Sequence, residues 1–175
     1  ELTNLFVDPD SSNLLLNTGS GYAQGIEFAL QRKFTKGFVG SASYSYSISK
    51  RQDYEYAALY DFEYDRPHIL NLIFGLDVGN DWQIGAKFQY ASGNPYTPVI
   101  NVIEKNNTFF VVEGETNSAR YPDYHKLDIR IDKQFIFESW SFSIYLDLWN
   151  VYNRDNIISY SFKATANGEI ITTPR

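Results

Sequence analysis

The sequence predicts an all-β fold, an antiparallel up-and-down transmembrane β-barrel of which this chain supplies about seven or eight strands. Three observations predict it: long segments alternate polar and apolar residues, short and long connections alternate between them, and aromatic residues gather at both ends of the apolar faces. The clearest alternation is SASYSYSISK at residues 41–50, where Tyr44, Tyr46 and Ile48 are separated by serines. A period of two indicates a β-strand, because successive side chains leave opposite faces of a sheet.

Six long segments and a shorter seventh carry this alternation in chain order. They span residues 22–34, 38–50, 68–78, 82–92, 124–135, 140–152 and 157–163. Representative apolar positions are, in the same order, Ile26 and Phe28, Tyr44 and Tyr46, Leu70 and Leu72, Ile84 and Phe88, Leu127 and Ile129, Ile144 and Leu146, and Tyr160 and Phe162. A strand of 13 residues, such as 22–34, spans about 43 Å and, at a tilt of about 45°, covers about 30 Å of height, which matches a bilayer core.

The connections between these segments differ in length in a regular order. Those at residues 35–37, 79–81 and near 138–139 are short, whereas those at 51–67 and 93–123 are long. Outer-membrane barrels have short periplasmic turns and longer extracellular loops. The order therefore favours a membrane barrel over a soluble sandwich.

Aromatic residues are concentrated at the two ends of the apolar faces, with aliphatic residues between them. We predict that they lie at the lipid interfaces, with Phe34, Phe38, Trp82, Phe135 and Trp140 beside the short turns and Tyr44, Tyr46 and Tyr90 toward the other end. Arg32 and Lys133 share the apolar register but lie near short turns. A basic residue there costs about 0–1 kcal/mol, against about 2–4 kcal/mol at the bilayer midplane.

The composition excludes several other classes of protein. The chain has 175 residues, 17% aromatic, with no cysteine and a net charge of −6. Its mean hydropathy is −0.35, and its apolar runs are far shorter than the roughly 18 residues of a transmembrane helix. The acidic balance argues against a nucleic-acid partner, and the absence of cysteine removes disulfides, thiolate metal sites and cysteine nucleophiles.

The chain is expected to be part of a longer protein. No signal peptide opens it, the inward face carries too many charges for a small closed barrel, and residues 173–175 do not form an aromatic-ended closing strand. We therefore expect residues 1–175 to be the C-terminal portion of one transmembrane barrel domain that lacks its last strand.

Four phrases together resemble one family. YDRPHILNLIFGLDV (64–78), WQIGAKFQYASGNPYTP (82–98), ARYPDYHKLDIRIDKQF (119–135) and WSFSIYLDLWNVYNRDNI (140–157) resemble the C-terminal barrel half of TonB-dependent outer-membrane receptors of the Bacteroidota type. The resemblance implies a 22-stranded barrel in the bacterial outer membrane, plugged by an N-terminal domain that is absent here. It also implies uptake of a siderophore, cobalamin or oligosaccharide, energised through TonB, ExbB and ExbD. Whether a surface lipoprotein caps the barrel as a further partner stays open from the sequence.

The long connections contain the candidate ligand-binding residues, since binding residues concentrate on loops held by a rigid scaffold. They are Tyr54, Tyr56 and Tyr60, whose rings can stack on sugars or chelates, and Asn106 and Asn107 at an expected hairpin tip. The tyrosines equally fit a second interpretation, in which they extend the outer aromatic girdle.

No residue pattern predicts an enzyme, a cofactor or a metal site. His68 and His125 are expected at the barrel rim and the lipid interface, and two histidines without cysteine make zinc binding unfavourable. Asp128 and Asp132 flank Arg130, which favours a charge-balanced ladder over an acid–base pair.

Three other functions stay open from the residues alone. A passive porin or adhesin barrel needs no plug, a barrel-embedded lipase or protease needs a catalytic constellation, and a soluble lectin-like β-protein would not need detergent. The parent reading frame and the response of uptake to the proton-motive force separate these hypotheses.

Overall fold

A computed structural model of the chain describes residues 6–7, 15–16, 18–35, 37–105, 108–165 and 169–175. Regular structure in these ranges is β-strand, and no helix among them is long and apolar enough to cross a membrane. The strands are β1 Phe6–Val7, β2 Leu15–Leu16, β3 Ser20–Thr35, β4 Phe38–Gln52, β5 Tyr60–Asp61, β6 His68–Gly79, β7 Trp82–Ala91, β8 Pro95–Tyr96, β9 Val99–Lys105, β10 Thr108–Glu113, β11 Ala119–Arg120, β12 Tyr124–Ile136, β13 Ser141–Leu148, β14 Tyr160–Ala164 and β15 Ile170–Pro174.

Six long strands form one antiparallel sheet, which confirms the predicted fold class. Their order is β13-β12-β7-β6-β4-β3, and β5 pairs with the end of β4. Because β3 and β13 each have one partner among the described strands, the sheet is an open wall rather than a closed barrel.

The register joins apolar residues to apolar residues across the whole sheet. Ala42 pairs with Leu72, Leu72 with Phe88, and Phe88 with Leu127. One step along the strands, Asn71 pairs with Gln89 on the opposite face. The sheet therefore has one apolar face and one polar face, and the apolar face is largely exposed.

The two ends of the sheet differ in structure. At the short-turn end, Gly37, Gly79, Asn80 and Asp81 adopt positive φ angles of 74°, 85°, 51° and 59°, which glycine, asparagine and aspartate tolerate best. At the long-loop end, the first long connection (residues 53–67) and the second long connection (residues 92–123) join β4 to β6 and β7 to β12. Burial is concentrated there, at Asp65, Ala91, Ser92 and Gly93.

The C-terminal part differs from the prediction in two places. Strand β13 ends at Leu148 instead of continuing to residue 152, because Asn150 turns the chain at a φ of 52° and its side chain bonds both the N–H and the C=O of Arg154. The seventh segment begins its strand at Tyr160 instead of residue 157. It pairs with β15, a strand that the sequence did not predict, in a separate two-stranded sheet.

Candidate functional site

The two long connections are joined at the long-loop end by a buried ion pair. The Asp65 side chain is 1% exposed and lies 2.5 Å from the Arg120 guanidinium. The backbone N–H of Ser49 also donates to its carboxylate, at 2.6 Å. Strand β4, the first connection and the second connection therefore meet at one carboxylate.

Arg120 contacts three groups besides that carboxylate. Its guanidinium donates to the carbonyl oxygens of Asp65 at 2.7 Å and Gly93 at 3.2 Å, and to the carboxylate of Asp61 at 2.7 Å. Lys50 pairs with the other oxygen of Asp61 at 2.7 Å. The Asn117 amide donates to the Asp61 carbonyl at 2.7 Å, which adds a second link between the connections.

A cavity of about 540 Å³ lies between the two connections, and the ion pair of Lys50 with Asp61 is part of its lining. Asp53, Tyr54 and Tyr60 line it from the first connection, and Glu115, Thr116 and Asn117 line it from the second. Its volume is within the range of about 300–1,000 Å³ that is usual for small-molecule sites. The Tyr54 ring is exposed toward solvent, and Tyr60 donates its hydroxyl to Asp53 at 2.6 Å.

The charges around the cavity are acidic on balance. Burial acts to raise the pKa of Asp61, but the hydrogen bond from Lys50 and the charges of Lys50 and Arg120 outweigh it and hold that pKa below its usual value. Asp61 is therefore ionised at pH 7, and the positive charges of Lys50 and Arg120 balance its negative charge. Asp53 accepts the Tyr60 hydroxyl at 2.6 Å, and Asp53, Asp61 and Glu115 are three carboxylates against one lysine, Lys50, in the cavity lining.

Tyr60 is expected to keep its proton to unusually high pH. Burial, followed by the hydrogen bond to the Asp53 carboxylate, raises the pKa of Tyr60 to about 12, against about 10 for an ordinary tyrosine. Subtracting the phenolate absorbance titration of Tyr60→Phe from that of the unmodified protein isolates this group. Asp53→Asn should lower the titration midpoint of Tyr60 only part of the way toward the ordinary value, because burial is the larger cause of the raised pKa. A wild-type midpoint at the ordinary value would contradict the buried, bonded geometry.

The residues that the sequence singled out for ligand binding are distributed unevenly. Tyr54 and Tyr60 line the cavity, whereas Tyr56 stands outside its wall, 90% exposed, with a φ of 68°. Asn106 and Asn107 lie outside the described residues, between Lys105 and Thr108, which pair as the last described rung of the β9–β10 ribbon. Sequence reasoning missed Asn117 and Arg120, since no local pattern links them to residues more than fifty positions earlier.

Aromatic residues lie at both ends of the apolar face. At the short-turn end, Phe38 packs on Phe74 with ring centroids 5.0 Å apart, and Trp140 stacks on Phe137 at 4.2 Å. Lys133 reaches the carbonyl of Asn80 and lies near the rings of Trp82 and Phe135. Tyr44, Tyr46 and Tyr90 lie toward the long-loop end. The side chain of Phe34 is outside the described part.

The polar face has a ladder of ion pairs. Lys126 pairs with Asp128 at 2.8 Å, and Arg130 pairs with Asp132 at 2.9 Å and with Asp147 at 3.4 Å. The carboxylates that resembled an acid–base pair are thus bonded to neighbouring cations. Over the described ranges, no group of three or more histidine, cysteine or acidic residues is placed to hold a metal ion.

An apolar face between two aromatic bands, a polar face with paired charges, and loops elaborated at one end define the wall of a transmembrane β-barrel. Comparison with protein families shows which family of transmembrane β-barrels the chain belongs to. Residues 1–153 match the model of the family described as TonB dependent receptor-like, beta-barrel, and the chain belongs to this family. This family is one of TonB-type outer-membrane receptors, and the protein is located in the outer membrane. Neither a curated protein nor a solved structure matches the chain.

Proposed function

We propose that the intact protein takes up a scarce extracellular ligand through a plugged barrel, with energy supplied through TonB, ExbB and ExbD. Residues 1–175 would form the C-terminal portion of the barrel domain, and the plug would lie upstream. The observation that carries the proposal is the cavity between the two long connections, on the side where outer-membrane barrels elaborate their extracellular loops. Family membership supports the energy coupling.

The lining of the cavity favours a neutral, hydroxyl-rich ligand such as an oligosaccharide. Asp53 and Glu115 offer hydrogen-bond acceptors, Asn117 offers an amide, and Tyr54 offers a ring face. Three carboxylates and one lysine line the cavity, and this negative balance repels anions, so an anionic ferric chelate would bind less well at this site. The ligand class rests on this charge balance.

Uptake by cells carrying the intact receptor tests the energy coupling. The probes are fluorescent neutral oligosaccharides and a fluorescent ferric siderophore, each measured with and without an uncoupler and in a strain lacking TonB. Uptake that stops under both conditions supports the proposal. Uptake that continues unchanged would identify a passive porin, and binding without uptake an adhesin.

Tyr54→Ala should weaken binding of the best oligosaccharide probe by about 2- to 12-fold, because an aromatic contact contributes about 0.5–1.5 kcal/mol and 1.4 kcal/mol is a factor of ten. Tyr56→Ala is the matched control, since it removes the same ring two residues away, outside the cavity. The measurement is a fluorescence titration of the purified receptor. Equal affinity for Tyr54→Ala and the unmodified receptor would place the ligand elsewhere.

A further inference from the structure

Both histidines of the chain lie on the apolar face at its long-loop end. His68 pairs in register with Tyr46 of β4, and His125 pairs with Tyr90 of β7. The next positions on the same face toward the middle of the sheet are Leu70 and Leu127. The two imidazoles therefore occupy the level at which the apolar band ends and lipid headgroups begin.

Each imidazole is held by a tyrosine hydroxyl through the same ring atom. The Nδ1 atom of His68 lies 2.8 Å from Oη of Tyr44, and the Nδ1 atom of His125 lies 2.7 Å from Oη of Tyr152. The backbone is fixed as well, since the N–H of His68 donates to Ser92 and that of His125 donates to Asn156. The arrangement recurs on two strands that are separated by β7.

The contact between the hydroxyl and Nδ1 fits either tautomer, and we assign the one in which the hydroxyl donates. When the hydroxyl donates to Nδ1, the neutral imidazole is protonated at Nε2, which becomes a hydrogen-bond donor. Among the described residues, neither Nε2 has a protein partner. A donor at the headgroup level meets lipid oxygens, of which phosphate oxygens are the strongest acceptors.

The surrounding charges are compatible with an anionic headgroup. Asp123, two residues before His125 in the chain, accepts hydrogen bonds from the Tyr90 hydroxyl at 2.7 Å and from the N–H of Gly93 at 3.2 Å. The guanidinium of Arg154 donates to the Asp123 carbonyl at 3.1 Å and brings a positive charge to the same place.

We propose that His68 and His125, each oriented by its tyrosine, bind phosphate groups on the headgroups of outer-leaflet glycolipids. The site does not depend on the ligand cavity or on energy coupling. It differs from a simple aromatic girdle because it selects lipids by their phosphate, whereas ring stacking and burial do not.

The test is native mass spectrometry of the intact receptor after exchange into equal amounts of lipid A and digalactosyldiacylglycerol, both of which have sugar headgroups while only lipid A has phosphate. We expect the receptor to retain about ten times more lipid A than digalactosyldiacylglycerol, because charge-assisted hydrogen bonds form only with the phosphates of lipid A. His68→Phe/His125→Phe keeps aromatic rings at both positions and should abolish the preference. Tyr22 is an exposed tyrosine at the long-loop end of β3, where it pairs with Lys50, and it has no histidine partner among the described contacts. Tyr22→Phe should therefore retain the preference.

Tyr44→Phe/Tyr152→Phe tests the role of the tyrosines. The imidazole ¹⁵N spectrum should show protonation at Nε2 in the unmodified receptor and a mixture of tautomers in this variant, with a reduced preference for lipid A. Equal retention of the two lipids by the unmodified receptor would overturn the proposal. An undiminished preference in the histidine double variant would do so as well.

Discussion

Arg120→Met is expected to release the two long connections from each other at a cost of about 3–5 kcal/mol, the range measured when one partner of a buried ion pair is removed. The Asp65 side chain is 1% exposed, so without Arg120 its charge stays buried with the Ser49 N–H as its remaining described donor. The first long connection must open before water can reach the Asp65 carboxylate. We therefore expect local opening rather than unfolding of the sheet.

Removing the other partner of the same pair should cost less. The Arg120 side chain is 32% exposed, and after Asp65→Asn it keeps the Asp61 carboxylate at 2.7 Å and access to water. Asp65→Asn should also partly rescue Arg120→Met, because an amide is cheaper to bury than a lone carboxylate. The two variants together should therefore destabilise the site less than the sum of the single changes.

Hydrogen exchange of the intact receptor in lipid measures these effects. The N–H of Phe62 donates to the Ser49 carbonyl of β4, and that of Tyr121 donates to the Asn94 carbonyl within the second long connection. Both amides should lose about two to three and a half powers of ten of protection in Arg120→Met, because 1.4 kcal/mol is a factor of ten. Lys163→Met, an exposed lysine on β14, is the control. Unchanged protection in Arg120→Met, or a larger loss in Asp65→Asn, would contradict the role of the buried pair.

The sheet was predictable because its information is local. The period of two in residues 41–50 and 68–78 places each side chain on a face, and turn residues such as Gly37 and Asn80 mark the reversals. Register then follows from matching apolar faces, as in the pairing of Ala42 with Leu72. These features need no knowledge of distant contacts.

The candidate site was predictable only in part, because its contacts are long-range. Tyr54 and Tyr60 are conspicuous as aromatic loop residues, but the chain pattern does not separate them from Tyr56, which lies outside the cavity. Arg120 lies 55 positions from Asp65, and nothing in its local sequence indicates a partner. The early end of β13 depends on a side-chain bond of Asn150 to the Arg154 backbone, which likewise has no periodic signal.

The apolar face also explains how an acidic chain with polar strands belongs in a membrane. Every second residue of β6 from Leu70 to Val78 is apolar, while its other face mixes Ile69 and Ile73 with Asn71, Gly75 and Asp77. A sheet of this kind exposes too much apolar area for water and too many polar groups for a packed core. Lipid on one side and an aqueous or protein-filled lumen on the other satisfy both faces.

Leu72→Arg is expected to destabilise the assembled receptor by about 2–4 kcal/mol, the cost of a basic residue on the lipid face near the bilayer midplane. Leu72 lies near the middle of β6 and is exposed on the apolar face, opposite Ala42 and Phe88. Asn71→Arg is the matched control, because it places the same side chain one residue away on the polar face. There it loses the hydrogen bond from Gln89 at 3.2 Å and should cost about 0.5–1.5 kcal/mol. Urea unfolding of the receptor in lipid vesicles, together with the amount assembled in the outer membrane, measures both. If Asn71→Arg were the more damaging change, the apolar face would be the inner one and the barrel orientation derived from the register would be wrong.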